Sequence, residues 1–240
     1  MKEFLNKNVS QFDNTEDSDY FYTKRHQLRG KVSIDLLNDV VSKESKKTLT
    51  LLSIACSSGV FEEQIRNKFG ISVFGIDAAE HSLRIASERG ISTVRGDVAK
   101  PLPFAGGSFD FVFAGEIIEH IFDTRSFLME INRVLKPDGH LILTTPNLAR
   151  LDDRIKLLFG KTPRQTSPLH PYLHLHIRPF TFDSLKNALS ETGFANIVLR
   201  TNAFVTDFFG KEITLDSKFL LNHFPTLGST LIVRAQKSLE

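Results

Sequence analysis

The sequence has little that would tie the chain to a membrane, a disulfide framework or a polyanion. Its single cysteine, Cys56, excludes an internal disulfide framework. No apolar run approaches the roughly 20 residues that span a bilayer. The acidic and polar opening, MKEFLNKNVSQFDNTEDSDY, does not look like a signal peptide. With 30 basic and 28 acidic residues the net charge is only +2, so nucleic acid is not the expected partner. Internal repeats and low-complexity tracts are also missing. The expectation is a soluble, cytoplasmic protein without a membrane span. At 240 residues and 41% hydrophobic content it can bury a sizeable core in one α/β domain over 1–240.

What is present is an alternation of short β-type runs with helical patterns. TLTLLSI (48–54), SVFGI (72–76), STVRG (92–96), FDFVFAG (109–115) and HLILTT (140–145) are short and rich in branched or aromatic residues, as strands are. Between them VFEEQIRNKFG, AEHSLRIASERG and DTRSFLMEINRVLKPDG carry apolar residues at helical spacing and end in Gly or Pro-Asp-Gly. Strands regularly separated by helices imply a parallel sheet covered on both faces. Ligands of such sheets bind beyond the carboxyl ends of the strands.

Three regions stand outside this rhythm. Residues 19–41 place Leu28, Val32, Leu36 and Val40 on one helical face, with Tyr22 at its edge, so a helix packed on the sheet or over its cleft is expected within an N-terminal extension, 1–45. Its basic cluster, Lys24, Arg25, His26, Arg29 and Lys31, reads as a solvated face. Residues 150–178 carry three histidines between His170 and His176, with His170 and His174 expected in an exposed loop held by prolines. Residues 201–228, between the late strands NIVLR (196–200) and STLIVRA (229–235), are rich in phenylalanine: Phe204, Phe208, Phe209, Phe219 and Phe224. Those aromatics suit a lid over the substrate, buried core or a homodimer interface, with core the default.

Chemistry collects at the strand ends. The first run feeds Ala55-Cys56-Ser57-Ser58-Gly59, where backbone N–H groups and a helix N-terminus converge on an electron-rich ligand. The second ends at Asp77 and Ala78, with Asp77 18 positions after Gly59, where a nucleotide-binding sheet places the carboxylate that receives ribose hydroxyls. The third is followed by Asp97, whose carboxylate can accept from an exocyclic adenine amine while the Val98 N–H donates to a ring nitrogen. The alternative makes each Asp a helix cap or turn former. Together the features describe a site for an adenosine-containing ligand.

From these residues the stretch 48–147 resembles the cofactor-binding core of class I S-adenosylmethionine-dependent methyltransferases. LLSIACSSG sits where that family has its glycine-rich first motif, VFGIDAAEHSLRIASERG is similar to the second, and GDVAKPLPFAGGSFDFVFAGEIIEHIFD to the third and fourth. INRVLKPDGHLILTTPN and FTFDSLKNALSETGF match the later pattern. The resemblance implies a Rossmann-like, doubly wound, mainly parallel seven-stranded sheet with an antiparallel last strand, and 150–178 and 201–228 as substrate-side insertions over the cleft. It implies S-adenosylmethionine as cofactor, held by Ser53, Ala55, Cys56, Ser57, Gly59, Asp77, Ala78, Asp97, Val98 and Ala114. The departures lie in the first loop: Ser53 replaces the usual acid, and Ala55 and Ser57 replace glycines. Cofactor binding is therefore expected to be weakened rather than abolished.

After the fourth strand come Glu116, Glu119 and His120 at i, i+3 and i+4, which on a helix would share one face. His120 or Glu119 is the candidate general base for a hydroxyl acceptor. The ubiquinone-pathway O-methyltransferases and small-RNA 2′-O-methyltransferases have a similar Glu-x-x-Glu-His element. HLHIRPFTFDSL resembles the downstream segment that completes a metal site in the RNA enzymes. That resemblance makes Glu116, Glu119, His120 and His176 candidate ligands of a divalent metal; the alternative is a metal-free pocket lining. A small-molecule hydroxyl acceptor is the first reading of the substrate. An RNA 2′-O-methyltransferase, which would need a basic channel, is an alternative, as is a non-catalytic adenosyl- or partner-binding module. A nicotinamide-dependent oxidoreductase fits Asp77 but leaves Asp97 and the Glu-His element unexplained.

Overall fold

A computed structural model describes residues 24–44, 48–166, 175–208 and 211–238. In chain order the helices are α1 (Lys24–Val41), α2 (Val60–Phe69), α3 (Glu80–Glu88), α4 (Thr124–Val134), α5 (Leu151–Leu158), α6 (Phe182–Glu191) and α7 (Lys218–His223). The strands are β1 (Thr50–Ile54), β2 (Ser72–Asp77), β3 (Ser92–Arg95), β4 (Phe109–Gly115), β5 (Leu135–Pro146), β6 (Phe194–Arg200), β7 (Phe204–Phe208), β8 (Lys211–Leu215) and β9 (Thr230–Lys237).

Seven strands form one sheet in the order β3-β2-β1-β4-β5-β9-β6. The pairs among β1 to β5 are parallel, while β9 runs antiparallel to both β5 and β6. The expected α/β, Rossmann-like architecture with an antiparallel last strand is the one found. The winding reverses between β1 and β4, so their carboxyl ends flank the crevice where such sheets take ligands.

Residues of alternating parity on the central strands face opposite layers. Leu52 and Ile54 of β1 join Val112, Leu141 and Leu143 against Leu128 and Ile131 of α4 and Leu185 and Leu189 of α6. Leu51 turns the other way, with Phe111 and Ile142, toward Leu36, Leu37 and Val40 of α1, Ile65 of α2 and Ala86 of α3. Both faces being covered explains why the strands read as continuous apolar runs. The expected α1 stripe is the one that packs, Leu36 and Val40 buried and Leu28 and Val32 half-buried. Gly30, awkward inside a helix, lies where an added Cβ would meet the Phe61 ring at 3.3 Å.

Two features go beyond the expectations. The helical pattern that ends in Pro-Asp-Gly stops at Val134, and β5, expected over 140–145, already begins at Leu135. Pro137 cannot continue a helix and biases Lys136 toward extended backbone. The 201–228 insertion also holds the hairpin β7–β8, whose pairing is local and separate from the main sheet. Tyr22, His170, His174 and Phe209 lie outside the described residues.

Gly59, at the N-cap of α2, has φ 75°, and a Cβ there would lie 3.0 Å from Ala86 Cβ and 3.1 Å from Ala86 Cα. Left-handed strain of about 1–2 kcal/mol and overpacking of about 1–3 kcal/mol act together. Gly59→Ala is therefore expected to cost about 2–4 kcal/mol, measured as a lower denaturation midpoint at unchanged slope.

Candidate functional site

The loop after β1 is built on conformations that glycine adopts freely and other residues resist. Ala55 and Ser57 have φ of 58° and 46°, both left-handed, as does Gly59 at 75°. Holding a non-glycine residue there costs roughly 1–2 kcal/mol each, so the surrounding structure must over-determine it. The Ala55 N–H donates to Ile76 O at 2.8 Å, and the Cys56 N–H to the same oxygen at 3.3 Å. Asp77 fixes the rest: one carboxylate oxygen accepts from the Ser57 N–H and the other from the Ala79 N–H, both at 2.9 Å.

Below the loop, Cys56 is buried against Gly75, where a Cβ would come within 2.5 Å of its Sγ. Burial, followed by Glu62 and Asp77, pushes the thiol upward, so it packs as a neutral side chain. Ser53 is fully enclosed, and its hydroxyl donates to Glu62 Oε1 at 2.6 Å. The first turn of α2 thus sets a carboxyl against the Ser53 hydroxyl. Sequence reading passed over Glu62, although it falls three residues before buried Ile65 on the inward stripe of α2. Its burial raises the carboxyl to about 7, despite the Ser53 hydrogen bond.

Asp97 is half-buried; its Oδ1 accepts from the Ala99 N–H at 3.0 Å and Lys100 stands 3.4 Å away. The turn-forming role is therefore present, with the carboxylate still partly accessible. Val98 packs against the core, Ala78 is half-buried at the strand end, and Ala114 is wholly enclosed within β4.

The Glu116–His120 segment is not the helix expected. Glu116 leaves β4 with φ 53°, its N–H donating to Thr144 O, and only Ile118–His120 form a single 3₁₀ turn. Glu116 therefore parts from Glu119 and His120. Its carboxylate pairs with Arg29 of α1 at 3.1 Å and accepts from Thr144 Oγ1 at 3.0 Å. Burial alone would raise this carboxyl, but Arg29, Arg25, the Thr144 hydroxyl and His26 together hold it below its usual value. The basic cluster of α1 is accordingly not all solvated: Arg29 is turned inward, its side chain 13% exposed.

Glu119, His120 and His176 do converge, with one ligand-type atom from each within 4.8 Å of the other two. The imidazoles meet edge to face, 4.9 Å apart at 90°. His120 Nδ1 lies 3.1 Å from Leu175 O, and His176 Nδ1 lies 3.1 Å from Gln165 Oε1. Carbonyl partners at Nδ1 place the proton there and leave the lone pair on Nε2, the usual way a protein prepares a ligating imidazole. Glu119 is 1% exposed; Oε2 accepts from Thr145 Oγ1 at 3.0 Å, and Oε1 has no hydrogen-bond partner among the described residues. Burial, then the neighbouring Glu116, pushes its carboxyl well above the usual range, while burial lowers His120. An orphaned buried oxygen beside two oriented imidazoles suits a divalent ion. Gln165 carried no signal in the sequence.

Residues 52–143 match a family described as a methyltransferase domain. Among curated proteins, a ubiquinone biosynthesis O-methyltransferase of Sinorhizobium fredii is 31% identical over 125 residues, 50% of each chain. The bovine mitochondrial protein of that name is 27% identical over 139 residues, 53% of this chain and 37% of its own. A Caenorhabditis elegans phosphoethanolamine N-methyltransferase 2 is 36% identical over 101 residues, 40% of this chain and 23% of its own. The chain spans 37–52% of the length of three ubiquinone-pathway relatives, from Bos taurus, Sinorhizobium fredii and Bartonella tribocorum. Among solved structures, a Thermotoga maritima protein described as a possible histamine N-methyltransferase superposes with TM-score 0.68 at 18% identity, covering 99% of this chain and all of that one. A Haemonchus contortus phosphoethanolamine N-methyltransferase 2 in complex with S-adenosyl-L-methionine gives 0.60 at 17% identity, covering 92% of this chain and 58% of its own. Residues 52–143 thus resemble a methyltransferase domain, and the fold is the Rossmann-like one of solved proteins described as S-adenosylmethionine-dependent methyltransferases.

Arg29→Ala strips the ion-pair partner from a mostly buried carboxylate. Truncating one side of a fully buried pair costs about 3–5 kcal/mol; discounted for the residual exposure of both groups, about 1–3 kcal/mol is expected at pH 7. Because Glu116 is held low in the folded state, its contribution is present above the unfolded carboxyl value and lost as pH falls through the folded one. The difference between wild type and Arg29→Ala in urea titrations should therefore shrink toward acid pH.

Proposed function

We propose that the chain transfers a methyl group from S-adenosylmethionine to the hydroxyl of a small molecule. The observation that carries this reading is His120: a half-buried imidazole whose Nδ1 faces Leu175 O, on the segment that follows β4, the strand paired with β1. The sulfonium methyl is already electrophilic, so positioning is the main demand, and it can supply about 7–11 kcal/mol at best. A hydroxyl must also lose its proton, and a neutral imidazole receives one. Burial, then the neighbouring Glu116, pushes the Glu119 carboxyl upward, toward its protonated form, which favours His120 as the base. Ala55, Ser57 and Gly59 would receive the methionine end, Asp77 the ribose hydroxyls, and Asp97 with the Val98 N–H the adenine. Glu119, His120 and His176 are the residues that would hold a divalent ion; with His120 Nε2 as a ligand, the ion in place of the imidazole would acidify the hydroxyl.

The relatives support oxygen as acceptor only loosely, since N-methyltransferases occur among them too. The reading begins with calorimetry: S-adenosylmethionine or its demethylated product should bind the folded protein, and absence of heat from both would sink the proposal. With label on the donor methyl and a panel of small hydroxyl compounds, His120→Ala should lower kcat by about 10²- to 10⁴-fold. Donor affinity should stay unchanged. Transfer to amines but not hydroxyls would overturn the acceptor class. Elemental analysis of protein purified without a metal column, with Glu119→Ala as control, tests the ion.

A further inference from the structure

Glu62 is an acid that neither the strand-end motif nor the proposed chemistry uses. It is 3% exposed, one turn into α2 and directly behind the ligand loop, and its partner is the serine standing where the family carries an acid. A buried carboxyl held by the Ser53 hydroxyl and its own backbone N–H is costly to keep, and substitution by an apolar residue or an amide would relieve that cost. The groups facing it are Ser53 from β1, Cys56 from the loop, Asp77 from β2 and Arg89 after α3. Arg89 is itself engaged by Glu63 at 3.4 Å and by Ser58 O. Asp77 is committed to two backbone N–H groups of the loop region. Among these groups Glu62 is therefore the carboxyl that can gain charge when a cation arrives above it.

We infer that Glu62 is a positioning residue for the cationic methionine end of the donor, with its carboxylate, reached through Ser53, replacing the acid that β1 lacks. The inference rests on the S-adenosylmethionine reading of the site. Its ionisation and donor binding are then linked: a cation over the loop favours the carboxylate, and the carboxylate favours the cation. Since the Glu62 carboxyl sits near 7, donor affinity should strengthen as pH rises through that value. Cys56 stays a neutral thiol over this range, and its burial keeps it from contributing.

The test is donor affinity by calorimetry at pH 6.0 and 7.5 for wild type, Glu62→Gln and the exchange Ser53→Asp with Glu62→Ser. Wild type should bind several-fold more tightly at the higher pH. Glu62→Gln should bind at least tenfold more weakly at pH 7.5, lose the pH dependence, and melt no lower than wild type, because it no longer buries an ionisable group. The exchange should recover most of the affinity, without the pH dependence near 7. Donor binding by wild type with unchanged affinity and pH profile in Glu62→Gln would overturn this inference alone. If Glu62→Gln melts well below wild type, the exchange decides: failure to recover affinity in a folded exchange variant overturns the inference. No binding by wild type at either pH overturns the site reading and this inference with it.

Discussion

The site depends on the Asp77 carboxylate more than on any other single group. By accepting from the Ser57 and Ala79 N–H groups it joins the loop after β1 to the turn after β2, across the two strands that pair at Ile54 and Ile76. The loop it braces holds Ala55 and Ser57 in left-handed conformations without glycine's help. Cβ atoms at these positions narrow the backbone choices of the unfolded chain as well as straining the folded one. The result is a loop already shaped before any ligand arrives, at the expense of intrinsic strain. Replacing glycine is thus not simply a degradation of the motif.

Three buried acids surround the crevice, and each is treated differently. Arg29 helps hold the Glu116 carboxyl down, burial and Glu116 push Glu119 up, and burial raises Glu62 against the Ser53 hydroxyl and its own backbone N–H. Neighbouring carboxyls are here pushed in opposite directions by their surroundings, Glu116 downward and Glu119 upward. The left-handed backbone at Glu116 is what permits the division. A continuous helix from Glu116 would have put both acids on one face, side by side and both desolvated.

The strands were legible in the sequence because a parallel sheet covered on both faces writes itself as short, continuous apolar runs. Asp77 was legible because a strand end is a fixed address. The ligand-type cluster was reachable only in part: His176 joins Glu119 and His120, but Glu116 does not. What could not be read is partner choice. Ser53 with Glu62, His176 with Gln165 and Glu116 with Arg29 are side-chain pairings that periodicity does not encode. The β7–β8 hairpin escaped for a related reason, since its phenylalanines suited a lid, a core or an interface equally well.

The N-terminal helix shows how packing remote from the crevice sets its electrostatics. Leu36, Leu37 and Val40 anchor the second half of α1 on the sheet. A helix rises 1.5 Å per residue, so Arg29 lies about 10 Å from Leu36 along a stiff rod. The rod is pinned a second time where Gly30 admits the Phe61 ring, which itself contacts Phe113 of β4 with centroids 4.6 Å apart. Arg29 therefore reaches Glu116 without the freedom of a surface side chain, and little entropy remains to be lost in forming the pair. That is why a basic residue from an apparently solvated cluster can hold a buried carboxylate charged, and why α1 is a wall of the site rather than an appendage to the sheet.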